Sequence, residues 1–436
     1  MEVAGPSEVR AAVEAAHREH WTVVLAATAR VAGDLDLAED CVQDAYLSAL
    51  DAWAGGRLPA NRAAWLVTAA RRRALDSHRR AQVLTRKLPL LLDPADSATD
   101  GGVPGVPGWP TDGLPGSDGP AASRDDELRL VFTCCHPALE RQAQAALTLR
   151  VVCGLPTAEV ARVFLVPEAT MAARLTRAKK KIAVARIPYR VPSPAELPDR
   201  LDAVLTVVHL LTSTAYDAWL SNPALAHETT ERCLHLMRSL VRLMPDETEP
   251  RGLLALTLLT DARRDARVVD GNLVLLGEQD RRRWDRRCID EALPLVPGAL
   301  RGSRTGRFGL LAAIAALHTE APDAAGTDWA QILALYDRLL TVWPSHVVAL
   351  NRAVAVAMVH GPHRALIEVD ALAAEPRLAG YPYLSATRAD LLRRLGRSEE
   401  AAAAYRRAVD LTAPGPEQEF LRLREVEVVG TSSDQA

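Results

Sequence analysis

Aromatic side chains are scarce in this chain: phenylalanine, tryptophan and tyrosine make up only 4% of its 436 residues. Hydrophobic residues nevertheless reach 48%, and alanine, leucine and arginine recur throughout. That composition disfavours β-sandwiches, which need β-branched and aromatic residues, and favours helices packed through small side chains. The sequence therefore predicts an all-α protein, and 436 residues are enough for several domains.

Long apolar runs are also missing. The segments LLALTLL (253–259) and GLLAAIAAL (309–317) are well short of a bilayer span, so we expect no membrane partner. The N-terminal residues MEVAGPSEVRAAVEAAHREH are charged throughout and lack the apolar core of a signal peptide. We therefore expect a cytoplasmic protein.

Cysteines are few and scattered, and no CxxC pair occurs, which suits a reducing cytoplasm. The run Cys134-Cys135-His136-Pro137 suggests a zinc site, but adjacent cysteines are poor tetrahedral partners and no second ligand pair follows. We predict a packed cluster without metal. Gly-rich phosphate loops, nucleophile elbows and convergent His–acid pairs are likewise missing, so we expect neither an enzyme nor a cofactor.

Acidic residues are absent from Ala169 to Ala195, and this gap surrounds the most informative motif. The segment TAEVARVFLVP followed by EATMAARLTRAKKKI has the spacing of a helix, a tight turn and a second helix. Helical periodicity places Arg174, Arg177, Lys180 and Lys181 on or near one polar side, with Thr170 at its start. The pattern is typical of a helix-turn-helix whose second helix enters the major groove. A solvated basic helix is the alternative.

Two further segments near the N-terminus carry candidate contacts. The helix predicted over residues 34–53 places Asp40, Gln43 and Asp44 largely outside an apolar stripe. The following segment is rich in arginine from Arg57 to Lys87, with Trp65 inside it. Arginines supply phosphate contacts and an aromatic ring can stack on an unpaired base, although core packing is the favoured role for Trp65.

These segments together resemble a known family. LAEDCVQDAYLSAL with AAWLVTAARRRALDSHRR resembles region 2 of the sigma-70 family of bacterial initiation factors, and LERQAQAALTLRVVCGLPTAEVARVFLVPEATMAARLTRAKKKI resembles region 4. The two blocks without a middle domain resemble the extracytoplasmic-function (group IV) sigma factors. The motif FTCCHP and residues 261–293 resemble the branch with a long helical C-terminal extension.

The resemblance implies two partners, core RNA polymerase and promoter DNA, and a role for each of three residue sets. The helix that docks on polymerase would use Asp40, Gln43, Asp44 and Leu47. The set near the melting minus-10 element would be Asn61, Arg62, Arg71, Arg72, Asp76, Arg79 and Arg80. The set facing the minus-35 element would be Thr170, Met171, Arg174, Arg177, Lys180 and Lys181. Two departures from the family pattern are Ala70-Arg71-Arg72, where Ala-Arg-Asn is familiar, and Ala172-Ala173, where Lys-Ser is common.

The domain boundaries follow from composition. We predict a region 2 domain over 1–92, an acidic Pro/Gly-rich flexible linker over 93–126, a region 4 helix-turn-helix domain over 127–188, and a helical extension over 189–436. The linker contains no basic residue before Arg124. Its acidic residues either mimic nucleic acid in the polymerase channels or only keep the linker solvated.

The extension shows weak self-similarity. Residues 385–414 resemble one tetratricopeptide unit, and residues 351–376 repeat its scheme. Gly361 and Gly396 are 35 residues apart, close to the tetratricopeptide period of about 34 residues. We expect a tetratricopeptide-like solenoid that regulates the sigma portion or receives a protein partner, against the alternative of an ordinary helical bundle. The charged segment 261–293 is either an interaction surface or a salt-bridged helix pair. The competing function is a helix-turn-helix regulator with a repeat-type sensor domain and no sigma activity.

Overall fold

A computed structural model of the chain describes residues 6–54, 58–87, 120–164, 166–219, 222–269, 271–301 and 306–433. The described residues are almost entirely helical, which confirms the all-α prediction. They divide into two compact units, the first formed by residues 1–215 with 227–236 and the second by residues 216–226 with 237–436. Within the described ranges, no helix has the length and apolar character needed to span a bilayer.

The first unit begins with three long helices that pack on one another: α1 (Pro6–Ala32), α2 (Leu35–Ala54) and α3 (Arg62–Lys87). It continues with α4 (Pro120–Cys134), α5 (Arg141–Leu147) running into a π-helical turn (Thr148–Val152), α6 (Thr157–Val163), α7 (Glu168–Val184) and α8 (Leu197–Ala218). The predicted helix, turn and second helix of the DNA-reading motif are α6 and α7. α7 starts at Glu168 after Pro167, which places Thr170 in its first turn.

The α1–α3 bundle and the α4–α7 segment share one core. The indole Nε1 of Trp21 on α1 donates to the carbonyl oxygen of Val151 at 2.8 Å, and the hydroxyl of Thr22 donates to that of Val152 at 2.6 Å. Gly154 follows the π-helical turn with φ +74°, and a Cβ there would lie 2.7 Å from Cδ1 of Trp21. The glycine is needed both for its left-handed backbone and for the close approach of the indole.

We expect Gly154→Ala to destabilise the first unit more than Gly396→Ala destabilises the second. Gly396 has nearly the same φ, +73°, but open space where its Cβ would stand. Both changes therefore impose left-handed strain, and only Gly154→Ala adds overpacking, which costs about 1–3 kcal/mol. Calorimetric unfolding of the full chain measures the difference. Equal losses of stability in the two variants would show that the Trp21 ring moves away from the added Cβ at no energetic cost.

The second unit is a succession of helices with one small hairpin. Its helices are α9 (Pro223–Leu243, of which 227–236 belong to the first unit), α10 (Glu249–Asp261), α11 (Arg286–Ala292), α12 (Leu295–Leu300), α13 (Arg307–Glu320), α14 (Trp329–Val342), α15 (His346–Val359), α16 (Pro362–Leu372), α17 (Pro382–Arg394), α18 (Ser398–Leu411) and α19 (Pro416–Ser433). Strands β1 (Val268–Val269) and β2 (Asn272–Leu273) pair antiparallel between α10 and α11. The carboxylate of Glu249 accepts hydrogen bonds from the backbone N–H groups of Phe308 and Gly309, both at 3.0 Å, and so caps the start of α13.

Two successive helix pairs, α15–α16 and α17–α18, turn at equivalent glycines. Gly361 and Gly396 both have left-handed φ values, +86° and +73°, at the junction inside each pair. The consecutive helices from α14 to α19 pack each against the next around a shared apolar core. The glycine spacing read from the sequence thus corresponds to two similar helical hairpins.

Two predicted boundaries differ from the observed ones. Residues 120–126, placed in the flexible linker, are helical in α4, where buried Asp126 pairs with Arg30. Residues 189–215, placed in the extension, belong to the first unit, because the Tyr189 hydroxyl donates to Ala26 O at 3.0 Å and Arg200 donates to Phe132 O. The rest of the predicted linker, residues 93–119 with its acids, lies outside the described residues.

Candidate nucleic-acid interface

The predicted docking set lies on one exposed face of α2. Asp40, Gln43, Asp44 and Leu47 recur at intervals of three and four residues and are all exposed, while Cys41, Val42 and Ala45 on the opposite side are buried. Leu47 is the notable member, because 61% of this large apolar side chain is exposed. The face therefore combines one large exposed apolar side chain with two carboxylates and an amide.

The start of α3 is built as a rigid scaffold. The side-chain oxygen of Asn61 accepts a hydrogen bond from the backbone N–H of Ala64 at 2.9 Å and so caps the helix. Trp65 meets Trp53 edge-on with ring centroids 5.7 Å apart, and Leu66 is fully buried. Trp65 is half-buried in this packing, in keeping with the structural role that we favoured for it.

The predicted minus-10 residues on α3 divide into two groups. Arg72, Asp76, Arg79 and Arg80 are exposed, and Arg62 is half-buried. Arg79 lies 3.4 Å from the Asp76 carboxylate, an exposed pairing that DNA phosphates can replace. These residues form a solvent-facing basic strip along the helix.

The side chain of Arg71 points into the protein, away from this strip. Its Nε donates to Ala27 O at 3.3 Å, and its Nη2 lies 3.9 Å from the carboxylate of Asp126, which is buried. Arg30 at 3.0 Å and Arg129 at 3.7 Å complete the surroundings of Asp126. Burial raises the pKa of Asp126 above its ordinary value, and Arg30 opposes that rise. In this conformation Arg71 therefore holds the fold together and is not available to DNA.

The predicted minus-35 residues lie on α7. Thr170, Arg177, Lys180 and Lys181 are exposed, and Arg174 is half-buried with its guanidinium 6.0 Å from the Phe164 ring centre. The prediction that Met171 faces the minus-35 element is wrong, because its side chain is fully buried. It begins the apolar stripe that Leu175, Ala178 and Ile182 continue at helical spacing. Met171 is therefore a core residue of this fold and presents no surface for DNA.

A buried ionic cluster joins α7 to α2, and the sequence did not single it out. Lys179 Nζ lies 2.7 Å from Asp36 and 3.2 Å from Glu39, and Arg150 Nη2 lies 3.0 Å from Glu39. Burial lowers the pKa of Lys179, but Glu39 and Asp36 outweigh it, so the pKa rises above its ordinary value and the ammonium stays charged. The one available signal was that Lys179 follows Ala178 on the apolar side of α7.

The cysteine run lies in the core where α4 ends. Cys134 and Cys135 are both fully buried, and Cys135 Sγ is 3.2 Å from the hydroxyl of Thr148. Burial raises the pKa of Cys135 to about 11, so its thiol is protonated at neutral pH and is a poor metal ligand. Among the described residues, no three ligating side chains are grouped as a metal site would need.

Three segments of the chain match known families. Residues 17–83 match the family described as Sigma-70 region 2, and residues 129–182 match Sigma-70, region 4. Residues 200–300 match a family of unknown function, DUF6596. An uncharacterized protein of Rhizobium meliloti is 41% identical over 394 residues, which cover 90% of each chain. No solved structure matches the chain.

Proposed function

We propose that the chain is an alternative sigma factor of the extracytoplasmic-function (group IV) type, because residues 17–83 match Sigma-70 region 2 and residues 129–182 match Sigma-70, region 4. Its regions 2 and 4 support promoter recognition and binding to RNA polymerase. The observation that carries the proposal is the presence of both regions in order within one chain. A helix-turn-helix regulator needs only the second of them.

Each surface receives a role in this proposal. The α2 face of Asp40, Gln43, Asp44 and Leu47 docks on core polymerase, since it combines a large exposed apolar side chain with polar neighbours. The exposed residues of α3 act near the melting minus-10 element, with Asn61 and Arg62 at the helix start. Thr170, Arg174, Arg177, Lys180 and Lys181 on α7 face the minus-35 element, where the cations supply phosphate contacts. Arg71 joins the DNA contacts only if it leaves Asp126.

The second unit is, in this proposal, a tetratricopeptide-like domain that regulates the sigma portion. The support is the repeated hairpin geometry at Gly361 and Gly396 and the continuous apolar core from α13 to α19. Stacked helical hairpins commonly offer an extended surface to a protein partner. No chemistry is assigned to this domain, and we propose no enzymatic activity for the chain.

Run-off transcription tests the proposal directly. Purified core RNA polymerase is combined with the full chain and a template carrying the promoter region of its own operon. We expect specific transcripts that require the chain, and their loss with the Asp40→Ala/Gln43→Ala/Asp44→Ala variant, whose changed side chains are all exposed. A chain that shifts duplex DNA but neither binds core polymerase nor starts transcripts would instead be a regulator without sigma activity.

A further inference from the structure

The arginine-rich segment between α10 and α11 is not a salt-bridged helix pair. It passes through the hairpin β1–β2 and three 3₁₀ turns, and its arginines differ in their surroundings. Arg264 pairs with Asp261 at 3.0 Å, and Arg282, 90% exposed, pairs with Asp280 at 3.0 Å. Both of these charges are neutralised locally. Three other arginines of the second unit are not neutralised in this way.

Arg281 and Arg267 are held by rings and carbonyl groups. The guanidinium of Arg281 lies 4.6 Å from the Trp284 ring centre, and its Nη1 donates to the carbonyl oxygens of His318 and Ala321, both at 2.7 Å. The guanidinium of Arg267 lies 4.1 Å from the Tyr216 ring centre and donates to Tyr216 O at 3.0 Å. These contacts fix the two planar groups in position and leave their full positive charges in place.

The charges of Arg267 and Arg281 both act on Arg263. Its Nε–H is buried and has no hydrogen-bond partner among the described residues. Burial lowers the pKa of Arg263 below its ordinary value, and the charges of Arg267 and Arg281 lower it further, against the opposing effect of Tyr216. Within the described ranges, no carboxylate forms an ion pair with any of these three arginines, whereas Arg264 and Arg282 beside them are each paired.

The neighbouring side chains of His318, Trp284 and Trp329 carry no negative charge. Burial, with the charges of Arg263 and Arg281, lowers the pKa of His318 to about 4, so its imidazole is neutral at pH 7. The Trp329 ring packs edge-on against His318 with centroids 5.1 Å apart. The indole N–H groups of Trp284 and Trp329 are both buried without a partner in the described part of the chain.

A folded protein rarely keeps such a group of like charges and unmet donors without a ligand. A buried donor left unpaired costs about 1–3 kcal/mol, and an uncompensated buried charge costs more. A bound anion removes both penalties at once. A guanidinium offers five N–H donors in a planar fork, which fits the tetrahedral oxygens of a phosphoryl group.

We propose that the second unit contains an anion-binding site for a small phosphoryl compound, formed by Arg263, Arg267 and Arg281. Three guanidiniums without a carboxylate favour a doubly charged phosphoryl group over a singly charged carboxylate, because the dianion neutralises more of their charge. The site lies within the residues that match the family of unknown function. Recognition of a small anionic effector by this chain goes beyond the sigma-factor proposal.

Isothermal titration calorimetry on the full chain tests the site, with inorganic phosphate and pyrophosphate as probes. Acetate and potassium chloride at matched ionic strength serve as carboxylate and salt controls. We expect saturable binding of a phosphoryl probe, weakened at least tenfold by Arg263→Gln and by Arg267→Gln. Arg282→Gln is the matched control, since this exposed arginine is bound to Asp280, and it should bind as wild type.

Thermal unfolding without ligand gives a second readout that an ordinary structural arginine would not show. Removing an uncompensated charge should leave the melting temperature of Arg263→Gln unchanged or raised, while removing its response to phosphate. The proposal is overturned by wild-type protein that binds neither probe. It is equally overturned by chloride that reproduces the effect, or by Arg263→Gln and Arg267→Gln proteins that bind as tightly as Arg282→Gln.

Discussion

Replacing Leu47 with arginine is expected to abolish stable binding to core RNA polymerase without unfolding the protein. Leu47 is 61% exposed at the end of the α2 face formed with Asp40, Gln43 and Asp44. An apolar anchor of an interface contributes about 2–4 kcal/mol, so the dissociation constant should rise roughly 30-fold to 1000-fold. Surface plasmon resonance with immobilised core enzyme measures it, and run-off transcription should fall in parallel.

Leu423→Arg is the matched control for this change. Leu423 is a leucine of similar exposure, 48%, on α19 in the second unit. The same substitution there tests whether an added positive charge alone disturbs polymerase binding. Equal loss of binding in the two variants, or unaltered binding by Leu47→Arg, would contradict the assignment of α2 as the docking helix. Circular dichroism confirms that each variant remains helical.

The faces of single helices could be predicted from the sequence because they depend only on local periodicity. In α2 a repeat of three and four residues separates exposed Asp40, Gln43 and Asp44 from buried Cys41 and Val42. In α7 the same rule places Arg177 and Lys181 in solvent. The position of Met171 follows the rule too, since it lies four residues before buried Leu175, but the resemblance to the family assigned it to DNA.

Partners distant in the chain could not be predicted in the same way. Lys179 belongs to a run of three lysines, and only the packing of α7 on α2 brings it to Asp36, 143 residues earlier. Arg71 belongs to a run of three arginines and turns inward because buried Asp126 lies beside it. Periodicity gives the direction of a side chain from its own helix. It does not give which charged group of another helix lies in that direction.

The segment 261–293 shows the limit of charge patterning most clearly. Its dense charge left open an interaction surface or a salt-bridged helix pair, but much of the backbone forms a short hairpin and 3₁₀ turns, which no helical periodicity predicts. Aromatic rings and carbonyl groups, not carboxylates, hold Arg267 and Arg281. Only the tertiary structure therefore shows whether the arginines of such a charged segment pair with carboxylates.

Glu39→Ala is expected to destabilise the first unit more than any other single change to its charges. Glu39 is only 7% exposed and pairs with Arg150 and Lys179, themselves largely buried. Removing it leaves buried Arg150 without its carboxylate and Lys179 with only the exposed Asp36, and breaking a buried ion pair in this way costs about 3–5 kcal/mol. Hydrogen exchange should show loss of protection in α2, α5 and α7, with unchanged protection in α14–α19 as the internal reference.

The neighbouring carboxylate provides the control. Asp40→Ala removes the same charge one residue along, from an exposed position, and should change stability by less than about 0.5 kcal/mol. If burial of unpaired cations is the cause, Glu39→Met combined with Arg150→Met and Lys179→Met should recover much of the loss, because apolar side chains of similar size replace the whole cluster. A Glu39→Ala protein as stable as Asp40→Ala would mean that Arg150 and Lys179 reach water when Glu39 is gone, and that the cluster does not hold α7 on α2.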